Sequence, residues 1–453
     1  MIMFVNRYRN QILIALCVYL GQMLCGYDIS WTAPIIPKLN DPEQSPLPRP
    51  PTSFETSFMA SIIYVAGLPS VLSMSWFSNY KGRKPGLILA ATFSTVGFFL
   101  LALSTNFMMV FIGRFIATFG VSSACLINMI YIGEIASTKI RGILLTGIGI
   151  IQSLGSLLVY SAGPFVSYSS VSYIAVGISI VYFIAVIFIP ESPVFYAIKD
   201  EDKKMITVLN RLQRQDEIND IIELKKAQIK TNDLEDWREL FTIKCNRKGL
   251  IITTVISSLN YLSGVLVVSF FTTSIFEMAG SSIKPEIATI IIGCTQLFGS
   301  TLAPCFVERS GRRSLLLVST ALSCFSMIIF GTYFYLLHTE HSVILYVKWL
   351  PLAVLVLFFL SNNMGFGVIP STLTGEMFRP NVRSKGTAIV ISVSWVFGFT
   401  VATIFNSIAT QLGAYIMFWF FSSTCGLAFL FTFFCIPETK GKSLVEIQEM
   451  LSK

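Results

Sequence analysis

The sequence predicts an all-α membrane protein. Twelve transmembrane helices form two six-helix bundles, with a polar helical linker between them. Three observations predict this. Of 453 residues, 53% are hydrophobic and only 13% are charged, with a mean hydropathy of +0.69. A soluble domain carries about 25% charged residues. The apolar residues gather into twelve runs, near 11–33, 56–77, 86–104, 107–132, 143–162, 172–189, 249–277, 286–307, 314–337, 346–370, 385–408 and 412–436. Hydrocarbon offers no partner to backbone N–H and C=O groups, so continuous runs of about 20 residues cross it as helices. Finally, three short signatures recur in the same order in each half.

The first run ends in Gly26-Tyr27-Asp28 rather than a small-residue cleavage site, so it reads as a span and not a leader. Gly113 and Gly120, then Gly147, Gly149 and Gly155, supply small residues that let helices approach. Between runs six and seven lies the long polar stretch 191–248. Its apolar residues fall at helical spacing, first Met205, Val208, Leu209 and Leu212, then Ile218, Ile221, Ile222 and Leu224. That spacing predicts short amphipathic helices on the membrane surface. The expected divisions are a bundle at 1–190, a linker at 191–248, a bundle at 249–436 and a tail at 437–453. Eight of the nine cysteines lie in apolar runs and read as small buried hydrophobes.

Charge orients the chain. Twelve Lys or Arg fall in 191–248, and others fill the connections that share its side, such as Lys81, Arg83 and Lys84 or Arg309, Arg312 and Arg313. The opposite side holds Lys38, Arg49, Lys284 and Lys348. The positive-inside rule therefore places both termini and the linker in the cytoplasm. The net charge of +8 reflects topology and contact with anionic lipid, not nucleic acid.

The repeat is the sharpest signal. Asn79-Tyr-Lys-Gly82-Arg83-Lys84 follows run two, and Glu308-Arg-Ser-Gly311-Arg312-Arg313 follows run eight. Glu134 precedes Arg141 by seven residues after run four, as Glu376 precedes Arg383 after run ten. Pro190-Glu191-Ser192-Pro193 follows run six, and Pro437-Glu438-Thr439 follows run twelve. Two similar halves facing each other suit a transporter with a midplane site.

With these landmarks, Ser263-Gly264 and Pro-Glu-Thr-Lys-Gly at 437–441, the chain resembles the sugar porter family of the major facilitator superfamily over nearly its whole length. Its opening Gly-Tyr-Asp-Ile-Ser-Trp-Thr-Ala-Pro is most similar to insect facilitated trehalose transporter-like carriers. The resemblance implies the major facilitator fold, a solute path and a cytoplasmic gate. That gate comprises Arg83, Glu134, Arg141, Glu191, Glu308, Arg312, Glu376, Arg383 and Glu438. It implies solute contacts at Gln152 in span five and Trp395 in span eleven, joined by Asn260, Tyr261, Gln296 and Asn363 as a polar-aromatic set. The chain departs from the family at Tyr261 and Leu266, where amides are usual, and at Ser371, where tryptophan is usual. It implies a proton-coupling pair, Asp28 in span one and Arg114 in span four. Arg114 is the one basic residue set in an apolar run away from the basic loops.

The expected function is transport of a hexose or a disaccharide such as trehalose by alternating access, facilitative or proton-coupled, in a plasma-type membrane. The alternatives are a non-transporting sugar sensor or a carrier of a non-sugar solute. No intramembrane His/Asp/Cys constellation suggests an enzyme. His338 and His341 have no third ligand nearby in sequence, so neither a metal nor a cofactor is expected.

Overall fold

The computed structural model describes residues 2–218, 233–442 and 444–452. Among them, eleven helical stretches are long and apolar enough to cross a membrane. They are Tyr8–Asn40, Ser53–Lys81, Arg83–Ala102, Phe107–Ile135, Arg141–Phe165, Tyr168–Phe188, Lys244–Phe270, Pro285–Val307, Arg312–His338, Leu350–Met377 and Val382–Cys435. The last is 54 residues long, more than twice what one crossing needs. Gly413, at φ 103°, divides it into Pro380–Ile408 and Ala414–Cys435. Counted this way the spans number twelve, and they are numbered 1–12 below.

Cα packing divides the chain into two units. One comprises Met1–Trp31, Asp41–Pro50 and Val65–Thr231; the other comprises Thr32–Asn40, Pro51–Tyr64 and Asn232–Lys453. The linker stretch is thus shared between the units at residue 231, and 32–40 and 51–64 group with the second. In the first unit, span 1 packs on spans 4, 5 and 6, and span 3 on spans 4 and 6. In the second, span 9 packs on spans 10 and 12, and span 7 on spans 11 and 12.

Local chemistry sets the helix ends. Asn106 and Ser167 cap spans 4 and 6 through their side-chain oxygens. Span 7 breaks at Gly264, whose left-handed φ of 81° a side chain would resist. Span 10 carries a π-helical segment, Asn362–Phe366. The linker forms short helices at Pro193–Ile198, Asp202–Arg211 and Asp233–Thr242. Met205 and Leu209 bury against Ala197, with Ile218 packed alongside, and Leu212 is also buried. Ile221, Ile222 and Leu224 lie outside the described residues. Cysteine burial is narrower than the apolar runs imply: Cys294, Cys305 and Cys435 are exposed, because each falls on the outer face of its helix.

Candidate functional site

The first unit buries an ion pair. Asp28, near the middle of span 1, and Arg114, in span 4, are 2% and 0% exposed. Arg114 Nη1 donates to Asp28 Oδ1, and Nη2 donates to the Asp28 backbone carbonyl at 2.5 Å. Thr118, one turn beyond Arg114, donates to Asp28 Oδ2 at 2.9 Å. The guanidinium also lies 5.0 Å from the ring centre of Trp31, a cation–π contact worth most when desolvated. The carboxylate and the guanidinium are therefore each held by more than the other. The sequence pointed to the pair but not to Thr118 or Trp31.

One helical turn and a half before Asp28 stands Gln22, which sequence reasoning missed. Its Nε2 donates to Gln152 Oε1 in span 5 at 3.0 Å and approaches Cys125 Sγ at 3.6 Å. Spans 1 and 5 touch closely at this level. A Cβ on Gly26 would fall 1.7 Å from the Gln152 carbonyl oxygen, and one on Gly155 would fall 1.9 Å from that of Met23. Ser156 Oγ donates to the Gly26 carbonyl at 3.0 Å.

The second unit holds the remaining candidates. Trp395 Nε1 donates to the Tyr261 hydroxyl at 2.9 Å. Both rings stand edge-on to buried Tyr64, with centroids 6.3 and 6.2 Å away. Asn260 Nδ2 donates to the Phe366 carbonyl at 3.0 Å, at the end of the π-helical segment of span 10. A π-turn displaces backbone hydrogen bonds, and a side-chain amide compensates here. Gln296 Nε2 reaches Ser269 Oγ at 3.4 Å. Asn363 lies on the π-helical segment with its Nδ2 buried and unpartnered, its Cβ facing Gly299 one turn after Gln296. The structure therefore brings Tyr261 and Trp395 together. It engages Asn260 and Gln296 with their own unit, and it pairs Gln152 with Gln22 rather than with another predicted residue.

The repeated signatures form two matching braces. In the first unit Arg83 Nε and Nη2 hold the Glu134 carboxylate at 3.0 and 2.8 Å. The Glu191 carboxylate accepts the Arg83 and Lys84 backbone N–H groups at 2.9 and 3.1 Å. In the second, Arg312 Nε and Nη2 reach Glu376 Oε1 at 3.1 and 3.0 Å. Glu438 accepts the Arg312 and Arg313 N–H groups at 3.0 and 3.2 Å. A carboxylate at a helix start satisfies orphan donors and complements the dipole. The glycines explain the fixed spelling of these loops. Gly82 and Gly311 start spans 3 and 9 at φ 116° and 84°, and a Cβ would come within 2.3 Å of Glu191 or 2.8 Å of Glu438. Arg141 and Arg383 each reach back to a carbonyl, Ala136 and Phe378, at 3.4 Å. The Glu308 side chain lies outside the described ones.

The two capping carboxylates titrate in opposite directions. Burial pushes Glu191 above its ordinary value, outweighing its backbone donors. Burial also acts upward on Glu438, but the N–H groups of Lys440, Arg312, Arg313 and Thr439 together hold it below the ordinary value. Glu438 therefore stabilises the fold above pH 4.5, and its contribution is lost as pH falls through the lowered value. Glu191 favours the fold more at low pH and loses that contribution as pH rises through its raised value. In thermal melts the gap between wild type and Glu438→Gln should close below pH 4.5. The gap to Glu191→Gln should instead widen as pH falls through its raised value toward 4.5. Gaps of the same pH slope would refute this assignment.

A model of the family described as Sugar (and other) transporter matches residues 14–451. The facilitated trehalose transporter Tret1 of Culex quinquefasciatus is 30% identical over 98% of this chain and 86% of that protein. The Tret1 of Aedes aegypti is equally similar, but the chain spans only 55% of its length. Among solved structures, the inward open conformation of the xylose transporter XylE from E. coli superposes with a TM-score of 0.79 at 21% identity. That likeness covers 97% of this chain and 99% of that one. The proton:xylose symporter XylE bound to 6-bromo-6-deoxy-D-glucose gives 0.77 at 22%, over 98% and 99%. These structures share the fold. The match across almost the whole sequence makes this chain a multi-pass membrane protein that belongs to the sugar (and other) transporter family.

Proposed function

We propose that the chain carries a neutral, hydroxyl-rich solute, a hexose or a disaccharide such as trehalose, by alternating access. One observation carries the substrate class. Gln152, Asn260, Tyr261, Gln296, Asn363 and Trp395 are all uncharged amides or aromatics, while the buried charges of Asp28 and Arg114 are spent on each other. Amide donors and acceptors beside aromatic faces suit sugar hydroxyls and ring faces. The names of the similar proteins point the same way.

The two braces are proposed as the cytoplasmic gate, with the basic end of the protein, both termini and the linker in the cytoplasm of a plasma-type membrane. The bundle, linker and tail boundaries 1–190, 191–248, 249–436 and 437–453 go with that reading. Basic linker residues would contact anionic lipid. Asp28 and Arg114 are proposed as the proton-coupling pair, since protonating the carboxyl would release the guanidinium.

The test is uptake of radiolabelled glucose and trehalose into proteoliposomes, with counterflow. Wild type should accumulate at least one of them saturably. Gln152→Ala should weaken apparent affinity about tenfold or more, as loss of an oriented hydrogen bond does, with folding unchanged. Binding without counterflow would favour a sugar sensor. Leu266 and Ser371, which stand where the family commonly has polar or aromatic contacts, favour a carrier of a less polar solute if neither sugar binds.

A further inference from the structure

We infer that Gln22 locks the orientation of Gln152 so that it meets the solute as a hydrogen-bond donor, and so acts as a specificity-determining positioning residue. The inference rests on the sugar-transport reading above. Gln22 is 1% exposed, and its amide nitrogen is engaged by Gln152 Oε1 at 3.0 Å and Cys125 Sγ at 3.6 Å. Its own Oε1 is buried with no partner. A buried carbonyl left unmet is costly, but each other orientation of the two amides leaves more unmet. Turning Gln22 alone would set two carbonyl oxygens face to face. Turning Gln152 alone would set two N–H2 groups face to face. Turning both restores one bond but moves the Gln22 N–H2, with two donors, to where the unpartnered carbonyl now sits. The observed orientation wastes the least.

The consequence falls on Gln152. Its carbonyl already accepts from Gln22 with one of its two lone pairs, and that bond fixes the amide with its N–H2 group on the side away from Gln22. A free glutamine offers a donor or an acceptor equally. This one, locked by Gln22, favours an acceptor on the solute, which a hydroxyl oxygen, an ether oxygen or a fluorine can supply. Nothing in the sequence hints at this, since Gln22 has no charge and sits in an ordinary apolar run.

The test is competition against labelled glucose or trehalose by analogues with each hydroxyl removed or replaced by fluorine. In wild type, one position should show a deoxy analogue about tenfold weaker, while the fluoro analogue competes nearly as well as the parent. In Gln22→Met, Gln152 is free to turn and can take a hydroxyl as a donor. The parent can then use either orientation of the amide and the fluoro analogue only one, so the fluoro analogue should fall behind the parent at that position alone. A purely structural role for Gln22 would weaken all analogues in proportion, which overturns the inference. So does a wild type in which the fluoro analogue is as poor as the deoxy one at every position, a measurement that needs no variant. If wild type binds neither sugar, the transport reading itself falls and takes this inference with it.

Discussion

Arg114→Leu should cost about 3–5 kcal/mol, the range for removing one partner of a buried pair. That is a large part of a total stability of about 5–15 kcal/mol. Among the described residues, the Asp28 carboxylate would keep Thr118 as its side-chain donor at 2.9 Å, in a setting where it is 2% exposed. Asp28→Asn should cost less. The amide oxygen still accepts from Nη1, the backbone carbonyl of residue 28 still accepts from Nη2, and Trp31 still faces the guanidinium. Arginine also tolerates desolvation better than a compact ion because its charge is delocalised and weakly hydrated. The double change Asp28→Leu with Arg114→Leu should melt well above the sum of the two single losses, since neither charge is then left alone. Strict additivity in detergent-solubilised protein would mean that the contact carries no coupling. The same Asp28→Asn protein tests the proton-coupling proposal. Wild-type uptake should rise as external pH falls and collapse with a protonophore, while the variant should ignore both. A wild type indifferent to pH leaves the pair as a strut between spans 1 and 4.

Gly26→Ala and Gly155→Ala should each abolish most folded protein. A Cβ at these positions would lie 1.7 and 1.9 Å from a backbone oxygen of the facing helix. An ordinary contact begins at 3.4 Å, so the first substitution demands a shift of about 1.7 Å between spans 1 and 5. Backbone cannot swing aside as a side chain does, and overpacking in a close-packed interior costs about 1–3 kcal/mol or more. The Ser156 bond to the Gly26 carbonyl and the Gln22–Gln152 bond would be strained together. Gly149→Ala is the control. It lies on the same helix as Gly155, but nothing stands within 4 Å of its Cβ position. Alanine there should match wild type or slightly exceed it, since alanine is the better helix former. Equal size-exclusion profiles for Gly26→Ala and Gly149→Ala would show that this contact is not the constraint.

Most of the architecture was legible because hydrocarbon enforces it. Long apolar runs became helices, and the repeated Gly-Arg and Glu signatures became two braces of the same plan. The two buried charges were legible because a charge in an apolar run stands out, while their pairing was what the family resemblance implied. Glycine spacing was a weaker guide: Gly155 marks a close approach, while Gly149, six residues before it on the same helix, marks none. Periodicity says that a small residue is present but not which face it lies on. The site was less legible still. Gln22 and Thr118 are commonplace polar residues whose importance comes from what a distant helix sets opposite them. The π-helical segment at Asn362–Phe366 has no apolar-pattern signature, and it is what draws Asn260 toward the Phe366 carbonyl.

The two arginine braces share a plan but not an environment. Arg83 and Glu134 are 7% and 14% exposed, whereas Arg312 and Glu376 are 20% and 25% exposed. Mobile ions reach a charge pair only as far as solvent does, and the screening length shrinks from about 10 Å at 0.1 M salt to about 3 Å at 1 M. The first brace is bidentate and closed off, while the second offers Arg312 a single oxygen of Glu376 at the edge of water. Ionic strength therefore divides two halves that sequence makes look like copies. Concentrated brine should loosen the C-terminal brace while the N-terminal one holds, which would make the duplicated signature one fixed fastening and one adjustable by the electrolyte around it.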